Sequence, residues 1–362
     1  MRPANLRTAG AAVALALGLL VAGCGRHSTP AAPQIARTYL MGFSGIPPKA
    51  DLPLLLQAID LWSTRADAAL VLNEPPWGEL LRGVPADSLV RRDQLGLVNH
   101  YRARGHRIVV SIDPTNGLNR ASDAESLQAY GRSIAEAPVR ALYRDYCVAV
   151  DTLLQPDWLG VASETNLVRF AAPAAIYDGV VAAAAEAAAA VRAHDPGVRL
   201  FSTVQVEVAW GRLPAGGTYA GISQDREDFD FMQGLGLSSY PYFSWSDPDS
   251  LPLDYYTRLV QGSPLPELVI EGGWSSASFP GVTSTPALQA RYIRRHAALL
   301  DAARAVGWFQ ITFTDLDLAS LPPATAEALR PFAFNGLVTA TLAAKPALSE
   351  WDAVQRRDRV AP

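Results

Sequence analysis

The chain has 362 residues, of which 49% are hydrophobic and 18% are charged, and its formal net charge is −4. This composition is typical of a globular protein, and the length fits one large barrel or two medium domains. Binding to nucleic acids depends on basic side chains that neutralise phosphates, and a mildly acidic chain without basic runs lacks them. We therefore expect no nucleic-acid partner.

The N-terminus has the pattern of an exported lipoprotein. Two arginines precede an apolar run from Ala9 to Ala22, which is too short for a comfortable transmembrane span. The run ends in Leu20-Val-Ala-Gly-Cys24, which resembles the bacterial lipobox, in which the cysteine is diacylated and becomes the new N-terminus. A simple cleaved signal with a chance cysteine is the alternative.

This resemblance implies a signal peptide at residues 1–23, a flexible tether at 24–36 that is rich in Pro, Ser and Ala, and a folded domain at 37–362. Cys24 would then anchor the protein to the membrane of the bacterial cell envelope. Gly25 favours the outer membrane, if the cell has one, because an Asp at this position would favour the inner membrane. Cys147 lies in a helical pattern and is predicted to be a small core residue. With Cys24 lipidated, no disulfide can form within the chain.

Short apolar runs alternate with longer helical patterns along the rest of the chain. The runs predict eight strands, at residues 39–43, 68–73, 107–112, 158–162, 198–206, 231–237, 268–270 and 308–313. Helices are predicted at residues 51–63, 86–104, 124–154 with a break near Pro138, 172–194, 286–306 and 345–351. This alternation predicts a single-domain (β/α)8 TIM barrel of the α/β class. An open doubly wound sheet would need a glycine-rich phosphate turn after the first strand, and Gly42-Phe-Ser-Gly45 is not one.

Acidic and aromatic residues follow the predicted strands. In a barrel of this type, the active site lies at the carboxyl ends of the strands. Carboxylates accept hydrogen bonds from hydroxyl groups, and indole rings stack on the C–H faces of sugars, so this combination predicts an uncharged carbohydrate as the ligand. The strand-end residues are Glu74, Asp113, Glu164, Glu207, Tyr240, Glu271 and Asp315, and the loop tryptophans are Trp77, Trp210, Trp245 and Trp274.

Several of these motifs resemble glycoside hydrolase clan A. They are Glu164 after the fourth strand, Ser238-Ser-Tyr-Pro-Tyr242 after the sixth, and the Glu-Gly-Gly-Trp sequence that begins at Glu271 after the seventh. Within the clan they are most similar to the endo-β-1,4-galactanase type, over roughly residues 39–351. The resemblance implies a retaining enzyme that hydrolyses β-linked bonds in a neutral polysaccharide or oligosaccharide, without a cofactor.

The resemblance also assigns roles within the site. Glu271 would be the nucleophile and Glu164 the general acid and then the general base, with the two carboxyl groups about 5–5.5 Å apart. Glu164 must start protonated, so we expect its surroundings to favour the neutral acid more than those of Glu271 do. Tyr240 matches the clan tyrosine that donates a hydrogen bond to the nucleophile, and Tyr242 is a close competitor.

Two positions depart from the clan pattern. Ser163 stands directly before Glu164, where the clan usually has an asparagine that contacts the sugar 2-hydroxyl, and Asn166 could replace it only if the loop turns back. The clan tryptophan at the end of the eighth strand has no match, because Trp308 opens that strand. Phe313 or the loop after it would have to form this wall.

A second candidate for the acid is Glu74, in the literal clan sequence Asn-Glu-Pro. It follows the second strand, which is as far from the seventh around an eight-strand ring as the fourth strand is. Chain order and the match at the sixth strand favour Glu164. The predicted substrate contacts are then Tyr240, Tyr242, Trp274, Trp77, Glu74, Asp113, Asn166, Glu207 and Trp245.

Two other functions remain open. A carbohydrate-binding surface lipoprotein on a barrel that has lost catalysis is consistent with Ser163 and with the missing tryptophan, although both glutamates argue against it. A metal-dependent barrel hydrolase is the other, but the five histidines fall in the tether, in helices or at helix ends, without ligand spacing. We therefore predict no metal site, and a monomer that contacts a carbohydrate and, through Cys24, a membrane.

Overall fold

The computed structural model describes residues 35–213, 217–262 and 265–362. The predicted signal peptide, Cys24 and most of the predicted tether lie outside these residues. Eight parallel strands form a closed barrel in chain order, and β1 pairs with both β2 and β8. The strands are β1 (Leu40–Ser44), β2 (Ala68–Asn73), β3 (Arg107–Ile112), β4 (Trp158–Gly160), β5 (Arg199–Gln205), β6 (Gly234–Ser239), β7 (Glu267–Gly272) and β8 (Gly307–Gln310). The predicted (β/α)8 barrel is confirmed.

Helices connect the strands on the outside of the barrel. In the described residues they are α1 (Leu52–Ser63), α2 (Trp77–Leu81), α3 (Ala86–Val90), α4 (Gly96–Arg102), α5 (Glu125–Gln128), α6 (Ala137–Leu154), α7 (Thr165–Ala171), α8 (Ala174–His194), α9 (Val206–Ala209), α10 (Ser223–Asp228), α11 (Pro286–Ala303), α12 (Pro323–Leu329) and α13 (Pro346–Gln355). A π-helical turn, Arg91–Leu95, joins α3 to α4. The helix predicted at residues 86–104 is therefore present, but its hydrogen bonding is not regular.

Several helices begin at capping residues and prolines that are visible in the sequence. The Asp51 side chain accepts a hydrogen bond from the Leu54 N–H at 3.0 Å and so caps α1. Thr285 caps α11 in the same way, directly before Pro286. Pro138 lies in the first turn of α6, where a missing N–H costs nothing, so it begins this helix after the predicted break.

Large side chains fill the interior of the barrel opposite glycines. A Cβ atom on Gly160 would lie 2.5 Å from the Phe201 ring, and one on Gly234 would lie 2.5 Å from the Trp158 ring. These glycines therefore leave room for the two aromatic rings, and the interior is a packed core without a pore. The interior side chains belong to Leu40, Ala68, Leu70, Val109, Trp158, Phe201, Leu268, Ile270 and Phe309.

The alanine-rich helix α8 belongs to the outer layer of the barrel. Its length and composition would allow it to cross a membrane. However, 39% of its most apolar segment of 18 residues is buried, and it packs against α6. Core helices of soluble proteins can have the same length and composition. Cys147, on α6, is completely buried as a free thiol, as predicted.

The C-terminal helix α13 closes the outer layer where β8 meets β1. The Trp351 ring lies 4.5 Å from the Phe43 ring and 4.7 Å from the Trp308 ring, measured between ring centroids. Trp308 is the second residue of β8, one position later than predicted, and its side chain is completely buried in this outer layer. Helix α13 thus packs on the outside of the barrel where β8 pairs with β1.

Candidate active site

Strand β7 carries Glu271 to the carboxyl end of the barrel. Gly272 and Gly273 follow with φ angles of 150° and 152°, a region that favours glycine. A Cβ atom on Gly272 would lie 2.2 Å from the Ser239 carbonyl oxygen on the neighbouring strand. The glycines therefore let β7 pass close to the end of β6 directly after Glu271.

Glu271 accepts a hydrogen bond from the Tyr240 hydroxyl at 2.7 Å. Tyr240 follows β6, and its ring packs against Phe332 with the centroids 5.0 Å apart. The Tyr242 hydroxyl instead donates to the Pro331 carbonyl at 3.0 Å. Of the two tyrosines that the sequence left in competition, Tyr240 is the one that contacts the carboxylate.

Glu164 lies in the turn between β4 and α7. Its backbone has a φ angle of 47°, a left-handed conformation that costs a non-glycine residue about 1–3 kcal/mol and often occurs at functional sites. Its N–H donates to the Thr203 hydroxyl at 2.7 Å. Its carboxylate accepts hydrogen bonds from the Ser238 hydroxyl at 2.6 Å and from Arg120 Nε at 2.8 Å. These contacts fix both the backbone and the carboxylate of Glu164.

Arg120 links two of the predicted carboxylates. It lies in the loop after β3, is 7% exposed, and forms ion pairs with Asp113 and Glu164. Asp113 also accepts hydrogen bonds from the N–H of Thr115 at 3.0 Å and from its hydroxyl at 2.9 Å. Arg120 is not among the residues predicted from the sequence, because a lone arginine in a polar loop has no recognisable pattern.

Electrostatics in this cluster act on Glu271. Burial, followed by the negative charge of Glu164, raises the pKa of Glu271 to about 7, while Arg120 and the Tyr240 hydrogen bond act in the opposite direction. Glu271 can therefore carry a proton near neutral pH, whereas the expected nucleophile must be ionised when it attacks. Because the two carboxyl groups interact, they titrate as a pair.

Glu74 is placed differently from this pair. Its side chain is exposed and accepts a hydrogen bond from the Ser126 hydroxyl at 2.9 Å. The charges that raise the pKa of Glu271 come from Glu164 and Asp113. The geometry thus favours Glu164 over Glu74 as the partner of Glu271.

Glu207 and Asn166 have structural partners. Glu207 is completely buried and accepts hydrogen bonds from the Gln205 amide at 2.5 Å, from the Tyr240 N–H at 3.1 Å and from the Tyr255 hydroxyl. Burial raises its pKa to about 7. The Asn166 side chain bonds the N–H and the carbonyl of Gln205 at 2.8 Å and 2.9 Å. The structure does not support the prediction that either residue contacts a sugar, because these bonds occupy their polar atoms.

Two cavities meet at Glu271. The first, of about 440 Å³, lies between the loops that follow β1, β3 and β8. The second, of about 290 Å³, lies between the loops that follow β3 to β6, and Glu164 lines it. Tyr240, Leu118 and Phe332 line both cavities, as Glu271 does. Together the cavities form the mouth of the barrel.

The predicted ring of tryptophans is not present at this mouth. Trp77 is completely buried against α6, and Trp274 is 1% exposed, with its indole N–H bonded to the Ser284 hydroxyl at 3.0 Å. Trp210 and Trp245 pack edge to face against each other, 6.4 Å apart. Among the described residues, none of the four lines either cavity. The prediction of stacking on these indoles is therefore wrong for Trp77 and Trp274, which offer no accessible face.

The wall after β8 is mainly aliphatic. Ile311 and Thr312 line the first cavity. Phe313, the expected replacement for the clan tryptophan, is 2% exposed and packs in the outer layer. Asp315 is held in an ion pair with Lys345 at 2.7 Å. Phe313 and Asp315 therefore do not form the expected wall, but the loop after Phe313 contributes Leu316 to the first cavity.

The acidic side chains of the mouth surround a guanidinium group. Asp113 and Glu164 each direct an oxygen at Arg120. In residues 35–213, 217–262 and 265–362, no three His, Cys, Asp or Glu side chains are grouped to hold a metal ion. The site thus places Glu164, held by Arg120 and Ser238, near Glu271, which can carry a proton near neutral pH.

No protein-family model and no curated protein matches the chain. Among solved structures, the exo-β-1,4-mannosidase Op5Man5 from Opitutaceae bacterium strain TAV5 is similar at 18% identity and a TM-score of 0.63, over 89% of this chain and 60% of its own. The GH53 catalytic domain from Ignisphaera aggregans is similar at 15% identity and a TM-score of 0.59, over 89% of this chain and 98% of its own. GH5_18 from Streptomyces cattleya, in complex with GlcNAc, is similar at 15% identity and a TM-score of 0.59, over 91% of this chain and 83% of its own.

At these identities, the similarity concerns the fold. This chain spans 60% of the mannosidase and 50% of a β-D-glucuronidase from Dictyoglomus thermophilum that is also similar. GH53 is the family of the galactanase type that the sequence motifs resemble. The chain therefore has the closed (β/α)8 barrel that is found in the glycosidases of clan A.

Proposed function

We propose that this protein is a retaining glycoside hydrolase that cleaves β-linked bonds in a neutral saccharide. The observation that carries the proposal is that Glu164 and Glu271 line one cavity and act electrostatically on each other. A retaining mechanism requires two carboxyl groups with different protonation states on the two sides of one bond. The β-linkage named for the similar mannosidase and glucuronidase is consistent with this proposal.

The proposed reaction has two steps. Glu271 attacks the anomeric carbon while Glu164 donates a proton to the oxygen of the leaving group, so a glycosyl ester forms as the glycosidic bond breaks. Glu164, now ionised, then removes a proton from water. The oxygen of this water attacks the anomeric carbon, and the ester breaks to release the sugar and Glu271. The Tyr240 hydroxyl orients and stabilises the Glu271 carboxylate.

The reaction requires the dyad to carry a single proton, on Glu164. Burial and the charge of Glu164 favour the neutral form of Glu271 in the free protein, whereas Arg120 and the Tyr240 hydroxyl favour its ionised form. Arg120 and Tyr240 therefore help to keep the nucleophile ionised.

Replacement of each glutamate tests this assignment. Glu271→Ala is expected to abolish turnover, and azide should not restore a product of retained configuration. Glu164→Ala should keep the first step with 2,4-dinitrophenyl glycosides, whose leaving group needs no proton, and azide should then give the β-glycosyl azide. The product configuration is read by NMR. Glu74→Ala, the control, should retain turnover; loss of turnover in this variant alone would transfer the role of the acid to Glu74.

A second candidate function is carbohydrate binding without catalysis. Ser163, in place of the clan asparagine, and the absence of a tryptophan from the described walls of the mouth favour it. It predicts saturable binding of a glycan and no release of sugar by the wild-type protein.

We also propose that Cys24 anchors the barrel to the cell envelope through lipid. The lipobox-like sequence before Cys24 supports this proposal. Mass spectrometry of the protein from the membrane fraction, compared with Cys24→Ala, would detect the diacyl group. An unmodified Cys24 in the mature protein would contradict the proposal.

A further inference from the structure

The first cavity at the mouth is apolar although it adjoins a carboxylate. Its wall is formed mainly by aliphatic and aromatic side chains, among them Pro47, Leu118, Ile311, Leu316, Leu329 and Phe332. Leu118 is 56% exposed, so a large apolar side chain faces solvent beside the dyad. Exposed apolar surface that is continuous with a functional site often marks a binding surface.

The second cavity is different in character. Arg120, Glu164 and Asn119 line it and supply charged or amide groups that can bind hydroxyl groups. Lys49 and Thr312 also line the first cavity, and Leu167 and Phe243 also line the second. Aliphatic side chains nevertheless predominate in the first cavity, on the side of Glu271 away from Glu164.

The proposed reaction determines which part of the substrate faces each cavity. The proton donor must contact the oxygen of the leaving group, so the leaving group lies in the cavity that Glu164 lines. Glu271 lines both cavities, whereas Glu164 lines only the second. The first cavity therefore receives the sugar that becomes bonded to Glu271, together with any substituent on that sugar.

We propose that the first cavity binds an apolar substituent on this sugar, so that the substrate is a β-glycoside of a deoxy or O-acylated sugar. The inference rests on the proposed hydrolase function. A hydroxyl group placed against Ile311, Leu316 and Leu329 would lose water without gaining a partner. Burial of each added methylene should instead increase binding by about fourfold.

The test compares 4-nitrophenyl β-D-glycosides in matched pairs. Each of the galactoside, glucoside and mannoside is compared with its 4-deoxy and 6-deoxy forms and with its 6-O-acetyl and 6-O-butanoyl esters. We expect at least one apolar form to exceed its parent by tenfold or more in kcat/KM. A parent that is the best substrate in every set would overturn the inference.

Matched leucine variants locate the effect. Leu329→Asn and Leu316→Asn place an amide in the first cavity and should reduce the advantage of the apolar form at least fivefold, mainly through KM. Leu61→Asn, on the outer face of α1, is the control, because Leu61 is 40% exposed and remote from both cavities. An advantage that both cavity variants leave unchanged, or that follows the alkyl length of the leaving group, would also overturn the inference.

Calorimetric binding of the same compounds to Glu271→Gln gives a second measurement that does not need turnover. Tighter binding of the apolar forms without turnover by the wild type would support the apolar site and contradict the hydrolase function. Turnover of the parent glycosides with equal or weaker binding of the apolar forms would support the hydrolase and overturn the apolar site.

Discussion

Arg120 determines the charge balance at the mouth of the barrel. It is buried, contacts Asp113 and Glu164, and lowers the pKa of Glu271 against the effect of burial. A buried cation next to interacting carboxyl groups shifts the pKa values of the whole group downward. Arg120 therefore favours the ionised form of Glu271.

Replacement of Arg120 by Gln should shift the profile of kcat/KM against pH towards higher pH. Loss of the positive charge should raise the pKa of Glu271 further, so less of the nucleophile is ionised at pH 6. An increase of about one unit in this pKa would reduce activity at pH 6 by about tenfold, with partial recovery at higher pH. Arg92→Gln is the control, because Arg92 pairs with Glu79 on the surface. A profile that falls in height without moving along the pH axis would show that Arg120 acts only structurally.

The sequence predicted the residues that β-strands place, and it failed for those that loops place. Glu271 lies at the end of β7, Tyr240 directly follows β6, and Glu164 lies in the short turn after β4, so barrel topology brings them together at one end. The direction of Trp274 depends on the path of its loop and on its Ser284 partner, which no local pattern reveals. Arg120 lies inside a loop and was missed for the same reason.

At the scale of secondary-structure elements, the position of the carboxyl end of β7 depends on its close approach to β6. Gly272 lies within reach of the Ser239 carbonyl, and its φ angle of 150° is unfavourable for other residues. The backbone that carries Glu271 and the backbone that carries Tyr240 are therefore held together by a contact that excludes any side chain.

Gly272→Ala should both destabilise the protein and reduce activity. The new methyl group would force β7 away from Ser239 and move Glu271, at an expected cost of about 2–4 kcal/mol in the free energy of unfolding. Gly96→Ala is the matched control. Gly96 lies in α4 with no atom near its Cβ position, so the alanine should increase the free energy of unfolding by about 0.5–1 kcal/mol. Denaturant unfolding and kcat measure the two effects. Unchanged kcat in a folded Gly272→Ala protein would show that Glu271 does not depend on this contact.

The sequence identified every strand of the barrel but not every boundary. The second and third strands have the predicted bounds, because turn residues and charges delimit their apolar runs. The sixth was predicted at residues 231–237 and pairs over Gly234–Ser239, because Phe231 packs on Phe229 before the strand begins. The eighth ends at Gln310, and the apolar residues after it line a cavity or the outer layer. An apolar run predicts that its residues are buried, but it does not predict which of them pair with a neighbouring strand.

At the scale of the whole molecule, buried carboxyl groups oppose stability at high pH. Burial raises the pKa of Glu267 from 4.5 to about 8 and that of Glu207 from 4.5 to about 7. Between the unfolded and folded pKa values, the folded protein binds more protons than the unfolded chain. Stability should therefore be greatest near pH 4.5 for these groups and should fall as the pH rises to about 8.

Glu267→Gln should weaken this pH dependence. Glu267 is 2% exposed at the start of β7, so a neutral amide avoids the cost of an ionised carboxylate there. At pH 8 the variant should be more stable than the wild type by about 1–3 kcal/mol, and near pH 4.5 the difference should vanish or reverse. Glu327→Gln, on an exposed helix, should not change the slope. If the stability of Glu267→Gln and of the wild type changed in parallel between pH 5 and pH 8, ionisation of the buried Glu267 would not be the cause of the pH dependence.

The most direct measurement is to trap the nucleophile. Aryl β-glycosides with fluorine at the 2-position form a stable ester with a retaining nucleophile, and peptide mass mapping locates this ester. The protein is treated with the fluorinated form of whichever aryl glycosides it hydrolyses. We predict one adduct, on Glu271, and none in Glu271→Gln. An adduct on Glu164, Glu74 or another residue, or no adduct from the reagent of a proven substrate, would contradict the assignment of Glu271 as the nucleophile.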